Sequence, residues 1–326
     1  MKPFSPHSRE TVAHHGEVAL IAAIRRWLGP AAPPSPAGMG DDCAVLAPLR
    51  GKPLVTVDPV IYGEHFDDRN SPQEAGTKLF RRNLSDIAAM GGRPVAAVVS
   101  IACDPSLRTA WLEGFYRALA AESRRLDVPV VGGDIARLRG GFIATLTLIG
   151  RCAGPRAVTR HGARRGDWIY VTGDLGGSLE GKHCRFTPRL AEGEWLARQR
   201  AVRAMMDVSD GLAKDLTSLQ PPRSLALLEE AALPISPAAR RAARRSGRPA
   251  EAHALTDGED YELVFAVARD ANLAAFEARW RRAFPRLRLS RIGHFAAPGT
   301  PLPVGYTTLQ EHRGFEHLRR DSTRRQ

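Results

Sequence analysis

The sequence predicts an α+β protein of two domains, each a mixed β-sheet with helices packed on it. Three observations predict it. The length of 326 residues suits two cores better than one. The first half interleaves short apolar runs with stretches of helical periodicity. The texture then changes near Cys152, where the chain to Gly166 is rich in Gly, Arg and Pro. The boundary is placed there, giving an N-terminal domain at 1–151 and a C-terminal domain at 152–326.

A polar lead, Pro3 to Gly16, precedes Glu17 to Leu28, whose apolar residues recur at helical spacing and stop at Gly29-Pro30. Ala31 to Gly38 is too proline-rich for a packed element and delivers the chain into Met39-Gly40-Asp41-Asp42. Two strands are expected next, Cys43 to Ala47 and Leu54 to Val57, the second ending at Asp58-Pro59. Pro72 to Met90 reads as a helix with Ser71 as its cap, Pro72 in its first turn and Gly91-Gly92 at its end. Val95 to Ala102 reads as a buried strand, Ser106 to Leu126 as a long helix, Val128 to Val131 as a strand entering Gly132-Gly133-Asp134, and Phe142 to Gly150 as an alternating strand.

The second half opens with a strand at Trp168 to Val171 and a glycine-rich turn at Thr172 to Ser178, then runs irregularly to Pro188. A helix is expected near Ala191 to Arg203, another at Leu212 to Leu219 after the Asp207 segment, and a strand at Tyr261 to Ala268 following the acidic Asp257-Gly258-Glu259-Asp260 turn. No internal repeat is visible.

Composition narrows the class. The chain is 43% hydrophobic and has no apolar run long enough to span a membrane, and Met1 to Glu10 is polar with no apolar stretch of a secretory signal behind it. A soluble, cytoplasmic protein without a membrane partner is expected. Cys43, Cys103, Cys152 and Cys184 lie far apart and form no CxxC pair, which indicates neither a zinc site nor a disulfide framework. The net charge of +12 invites a nucleic-acid reading, but nearly all of it is Arg in a chain also rich in Ala, Pro and Gly. Arg240 to Arg248 and Arg319 to Arg325 read as a solvated helix face and a tail, so nucleic acid is an unlikely partner.

Chemistry is concentrated in Asp-bearing segments: Gly40-Asp41-Asp42, Thr56-Val57-Asp58, Asn83-Leu84-Ser85-Asp86, Gly132-Gly133-Asp134 and Asp207-Val208-Ser209-Asp210-Gly211. Carboxylates repel one another, so converging acids call for a cation, and an oxygen-only donor set suits Mg²⁺ shared with substrate phosphates. Each segment alone is explained equally well as a turn, and Asp210 as a helix N-cap. Lys78, Arg82 and Asp86 recur at helical spacing, which an intrahelical salt bridge would explain; the functional reading gives Asp86 to a metal and Lys78 to a phosphate or to the acids. Thr172 to Ser178 resembles a phosphate-cradling loop in composition but carries no Walker A or GxGxxG pattern. His65 lacks a second His at metal-ligand spacing and reads by default as structural.

Taken in order, these segments resemble the thiamine-monophosphate kinase family of the aminoimidazole ribonucleotide synthetase-like superfamily. The similar stretches run from Met39 to Asp42 through Val57-Asp58, Gly63 to Phe66, Lys78 to Pro94, Gly132 to Arg137, Arg160 to Ser178, Met206 to Leu216 and Gly258 to Phe265 to Arg313-Gly314-Phe315. The resemblance implies that superfamily's fold, a homodimer, and a direct in-line transfer from ATP to thiamine monophosphate, giving thiamine diphosphate, with several Mg²⁺ ions. Carried over by position, Asp41, Asp42, Thr56, Val57, Asp58, Asp86, Asp134, Asp207 and Asp210 would be metal-associated, Val57 through its carbonyl. Gly133, Asp134, Arg160, Ser209 and Tyr116 would lie at ATP, His65, Glu259 and Phe315 at the thiamine phosphate, and Asp210, Asp134, Arg160 and Lys78 would carry catalysis.

Several positions depart from the family pattern beside the expected site: Pro59, Tyr62, Asp174, Asp257 and a shortened Gly181 to Pro188. They fit a divergent member of the family or a relative acting on another phosphorylated compound; the rival readings are a superfamily enzyme that uses ATP on a carbonyl oxygen and a non-catalytic nucleotide or RNA binder that has kept the fold and gained basic surface.

Overall fold

The computed structural model describes residues 1–309, His312 and Gly314. It divides into two compact units, Met1–Ala157 with Cys184–Glu194, and Val158–His183 with Trp195 onward. The first contains α1 (Glu17–Leu28), β1 (Pro53–Ile61), α2 (Pro72–Ala89), β2 (Gly92–Cys103), α3 (Thr109–Leu126), β3 (Val130–Arg137) and β4 (Phe142–Cys152). Its strands lie in the order β1-β4-β2-β3, antiparallel except for the parallel β2–β3 pair, which makes the sheet mixed.

Local signals explain these elements. Ser71 accepts a hydrogen bond from the Glu74 N–H while Glu74 accepts from the Ser71 N–H, a capping box that starts α2 with Pro72 in its first turn. β4 alternates buried and half-buried residues throughout, so Ala144, Leu146 and Leu148 face the core. Leu79, Phe80 and Leu84 of α2 and Trp111, Phe115 and Leu119 of α3 complete that core. The two helices meet closely at Gly76, where a Cβ would lie 2.5 Å from the Phe115 carbonyl oxygen.

The expected strand at Cys43 to Ala47 does not form. That stretch is irregular and Val45 is exposed, its N–H going to the Pro36 carbonyl of the preceding loop rather than to a strand. The strand expected to stop at Val131 continues as β3 through Gly132-Gly133-Asp134, paired with β2.

After β5 (Trp168–Thr172) come α4 (Lys182–Arg185), α5 (Leu190–Ala197), β6 (Val202–Asp207), α6 (Leu212–Leu219), β7 (Leu225–Glu229), α7 (Pro237–Ser246), α8 (Ala250–Thr256), β8 (Leu263–Val267), α9 (Leu273–Ala283), β9 (Leu289–Ala296) and β10 (Tyr306–Thr307). The second unit's sheet has the order β10-β7-β9-β5-β8-β6 and is antiparallel in its strand pairs, where a mixed sheet is expected from the sequence. β8 is buried at every residue. Val264 and Ala266 pack with Leu212 and Leu216, while Phe265 stacks on Tyr170 at 5.7 Å and meets Phe276 edge-on.

The helix expected over Ala191 to Arg203 is two elements. α5 ends at Ala197, and the buried run at Ala204, Met205 and Met206 joins β8 as a strand. Short apolar runs do not distinguish helix from strand by period. Among the described residues, no helix is long and apolar enough to cross a membrane.

Gly76→Ala sets propensity against packing. Alanine favours a helix interior by about 1 kcal/mol, but the Phe115 backbone cannot yield as a flexible side chain would, and overpacking costs about 1–3 kcal/mol. Net destabilisation is expected in urea unfolding; a more stable variant would show that α2 and α3 can separate freely.

Candidate functional site

In the first unit, the loop before β1 and the edge strand β3 line a cleft of about 550 Å³. The loop supplies Asp41 and Asp42, and β3 supplies Gly132, Gly133 and Asp134, with Val99 and Tyr116 behind them. The two glycines differ in role. A Cβ on Gly133 would sit 2.1 Å from the Val99 carbonyl oxygen, so glycine is required for β2 and β3 to pair, whereas the nearest atom to a Cβ on Gly132 is 4.0 Å away. Asp134 therefore projects from a strand, not from the expected turn. Asp41 turns back on its own loop, accepting from the Asp42 N–H at 3.0 Å and the Ser35 hydroxyl at 3.4 Å. Asp42 and Asp134 stand exposed. Burial raises the Tyr116 hydroxyl above its ordinary pKa, which keeps it protonated.

A second cluster joins α2 to β1. Thr56 donates to Asp86 Oδ2. Arg82 donates from Nε to Asp58 Oδ2 at 3.1 Å and from Nη1 to the Pro59 carbonyl at 2.7 Å. Lys78 is wholly buried and its ammonium donates to the His65 carbonyl at 2.7 Å, while His65 Nδ1 accepts the Ile61 N–H at 3.2 Å. The shared face of Lys78, Arg82 and Asp86 thus reaches off the helix to β1 and the segment after it. Lys78, expected at a phosphate or at the acids, holds the His65 segment through that carbonyl. Val57 points its side chain into solvent, 57% exposed.

In the second unit, Asp207 ends β6 and is buried. The chain then turns through Ser209 and Asp210, whose N–H groups both donate to Asp215 Oδ2 at 2.9 Å. Asp210 is not the N-cap of α6, a position held by Gly211 at φ 104°; its carboxylate instead accepts from Lys214 Nζ at 2.6 Å. Asp215, which reaches back from the first turn, was not foreseen; an acid five residues past Asp210 was the available signal. The Glu259 N–H donates to the Ser209 carbonyl at 2.7 Å, bringing Glu259 beside this turn, and its carboxylate meets His183 Nδ1 at 3.2 Å. Arg160 is exposed on the segment whose Thr159 carbonyl accepts the Met205 N–H. Phe315 lies outside the described residues.

The glycine-rich turn is not a free phosphate cradle. The Gly176 N–H goes to Asp260 at 2.9 Å and the Gly177 N–H to Asp257 at 2.9 Å, while the Gly173 and Leu175 N–H groups go to the Arg288 and Pro234 carbonyls. Two internal carboxylates occupy the place an anion would take. Asp257, a departure from the family pattern, is thus structural, and it also pairs with His253 at 2.9 Å. Thr172 and Lys182 hold Glu262 at 2.8 and 3.0 Å.

The donors at the first unit's two clusters are carboxylates and a hydroxyl, hard oxygens that fit Mg²⁺. Among the described residues, no three His, Cys, Asp or Glu side chains gather into a ready cage. Mg²⁺ usually binds through one or two carboxylates and completes its shell with water and substrate phosphates, so such a donor set fits it.

Residues 40–152 match the family model described as AIR synthase related protein, N-terminal domain. The chain is 37% identical over 265 residues to a thiamine-monophosphate kinase of Rhodopirellula baltica, covering 78% of this chain and 83% of that one. It is 34% identical to the enzyme of that name from Escherichia coli K12, with 71% and 76% covered. The crystal structure of thiamine-monophosphate kinase from Stenotrophomonas maltophilia K279a superposes with a TM-score of 0.71 at 31% identity, covering 89% of this chain and 97% of that chain. A structure of AaThiL complexed with AMPPCP and TMP gives 0.66 at 26% identity, covering 91% and 98%.

Burial, with help from the Glu262 and Asp257 charges, raises Asp260 to about 7 against the opposing Lys182 ammonium and Gly176 N–H. A raised acid lends stability that is complete below its ordinary value and is lost as pH rises through the folded value. Asp260→Asn keeps an acceptor for Gly176 but cannot ionise. Its melting temperature should fall less than that of the unmodified chain between about pH 4 and pH 7; equal falls would place the titration elsewhere.

Proposed function

We propose that this chain, which belongs to the thiamine-monophosphate kinase family, phosphorylates thiamine monophosphate to thiamine diphosphate with ATP as the donor. The observation that carries this reading is the joint presence, in a chain 37% identical to a named family member, of the cleft lined by Asp41, Asp42 and Gly132-Gly133-Asp134. A relative of similar fold has been solved with both an ATP analogue and TMP.

The acceptor is a phosphate oxygen already ionised near neutral pH, so no strong general base is needed. The obstacle is the approach of two polyanions. Mg²⁺, when bound, would supply the positive charge that offsets both phosphates and favours in-line displacement. Asp42 and Asp134 would hold it at the cleft, Thr56, Asp58, Asp86 and the Val57 carbonyl at the α2–β1 cluster, and Asp207 and Asp210 in the second unit. Gly133, Ser209, Tyr116 and Arg160 are assigned to ATP, with the Arg160 guanidinium offsetting phosphate charge left uncovered by metal. His65 and Glu259 are assigned to the thiamine phosphate.

The same reading makes the chain a homodimer. On β1, Val55 and Val57 are 69% and 57% exposed, opposite Ile149 and Thr147 of β4. Among the described residues no helix covers this face of the first unit's sheet, and a second copy would cover its apolar residues. The dispersed, unbridged cysteines fit a reducing cytoplasm.

Incubation with ATP, Mg²⁺ and thiamine monophosphate should yield thiamine diphosphate, and chelation of the metal should stop it. No product from the intact, nucleotide-competent protein would refute the activity. Asp210→Asn and Asp134→Asn should each lower turnover by about 100-fold or more with unchanged melting temperature. Near-normal turnover in either would remove that residue from the metal set.

A further inference from the structure

One wall of the acidic cleft is built by a helix to which no role has been assigned so far. Glu17, Ile21, Ile24 and Arg25 line it together with Met39 to Ala44 and the β3 glycines. Their spacing places them on one face of α1, and Leu20, Ala23 and Leu28, with Ile24, anchor the helix in the core. Two features of this face are unexplained by packing. Ile21 is 42% exposed although it lines the cleft that Val99, Val131 and Tyr116 also line. The Arg25 guanidinium has no hydrogen-bond or ion-pair partner among the described residues; its Nη1 lies 3.7 Å from where a Cβ on Gly40 would be, at the turn that presents Asp41 and Asp42.

Helix electrostatics accounts for a basic residue in the last turn of α1, but Arg26 supplies that charge without lining the cleft. A fixed cation among carboxylates is what a polyphosphate needs where metal does not reach, and a planar guanidinium can grip two of its oxygens. An apolar side chain beside a buried aromatic offers a surface for a flat heterocycle.

We propose that this face of α1 is part of the nucleotide site, with Ile21 packing against the base and Arg25 binding a phosphate oxygen. The assignment rests on the reading of the cleft as an ATP site and adds residues to it. Gly40, at φ 128°, leaves the turn without a side chain beside Arg25, so the guanidinium can swing toward a ligand.

Calorimetric titration of the intact chain with AMPPCP and with adenosine, both with Mg²⁺, separates the two contacts. Arg25→Ala should weaken AMPPCP by about tenfold to a hundredfold, the worth of a charge-assisted hydrogen bond, and leave adenosine unchanged. Arg25→Lys should recover part of the loss, and Ile21→Asn should weaken both ligands alike. Both side chains are solvent-facing, and unchanged melting temperatures would show the variants folded. AMPPCP binding equal to that of the unmodified chain in Arg25→Ala overturns the phosphate contact, and loss of adenosine affinity in that variant overturns the division of roles. Nucleotide binding with these losses but no conversion of thiamine monophosphate supports the wall while refuting the acceptor; absence of nucleotide binding to the unmodified chain overturns both.

Discussion

The first unit depends on burying the polar face of α2 against β1. Lys78, Asn83 and Ser85 are almost without solvent exposure and Arg82 is nearly so. An unpartnered charge in such a place costs several kcal/mol, so each charge must find its bond or the helix cannot dock. Lys78 takes the His65 carbonyl, Arg82 takes Asp58 and the Pro59 carbonyl, Asn83 takes the Leu79 carbonyl at 2.9 Å, and Asp86 takes Thr56. These contacts fix the carboxylates assigned to metal and the segment carrying His65 in the same act that completes the core. Stability and site geometry are here one constraint.

The second unit applies the same rule with the charges reversed. The buried carboxylates of Asp260 and Asp215 and the half-buried one of Asp257 are met by backbone N–H groups of the glycine turn and of the Ser209-Asp210 turn. Glu259 and Tyr261 adopt left-handed backbone at φ 53° and 52°, a conformation that costs a non-glycine residue about 1–2 kcal/mol. Their N–H bonds to the Ser209 and Val208 carbonyls hold them there. Strain kept in place by surrounding bonds is common where a side chain must be aimed, and here it aims Glu259 toward His183 and the Asp210 turn.

Periodicity and capping made α1, α2, α3 and most of the first sheet legible. Ser71-Pro72 with Glu74, and Gly91-Gly92 after Met90, are local signals whose meaning needs no partner. Non-local pairing was not legible. Cys43 to Ala47 has the composition of a strand but no ladder to join, and Val202 to Asp207 has one in β8 that outweighs its helical surroundings. Apart from the solvated helix face read at Arg240 to Arg248, which falls largely on α7, the elements between Gln220 and Thr256 and beyond Ala268 carried too weak a period to assign.

By itself the sequence determined the class of fold, the order of the Asp segments and the oxygen-only chemistry they offer, because these follow from residue type, spacing and local backbone preference. Tertiary structure decided what each polar group does. It showed that Gly133 serves strand pairing, that the glycine turn is filled by the chain's own carboxylates, that Lys78 is sealed inside, and that Arg25 stands at the cleft. A hydrogen bond or an open cleft depends on which distant segments meet, and burial makes a missing partner so costly that the whole fold, rather than any motif, settles which bonds are made.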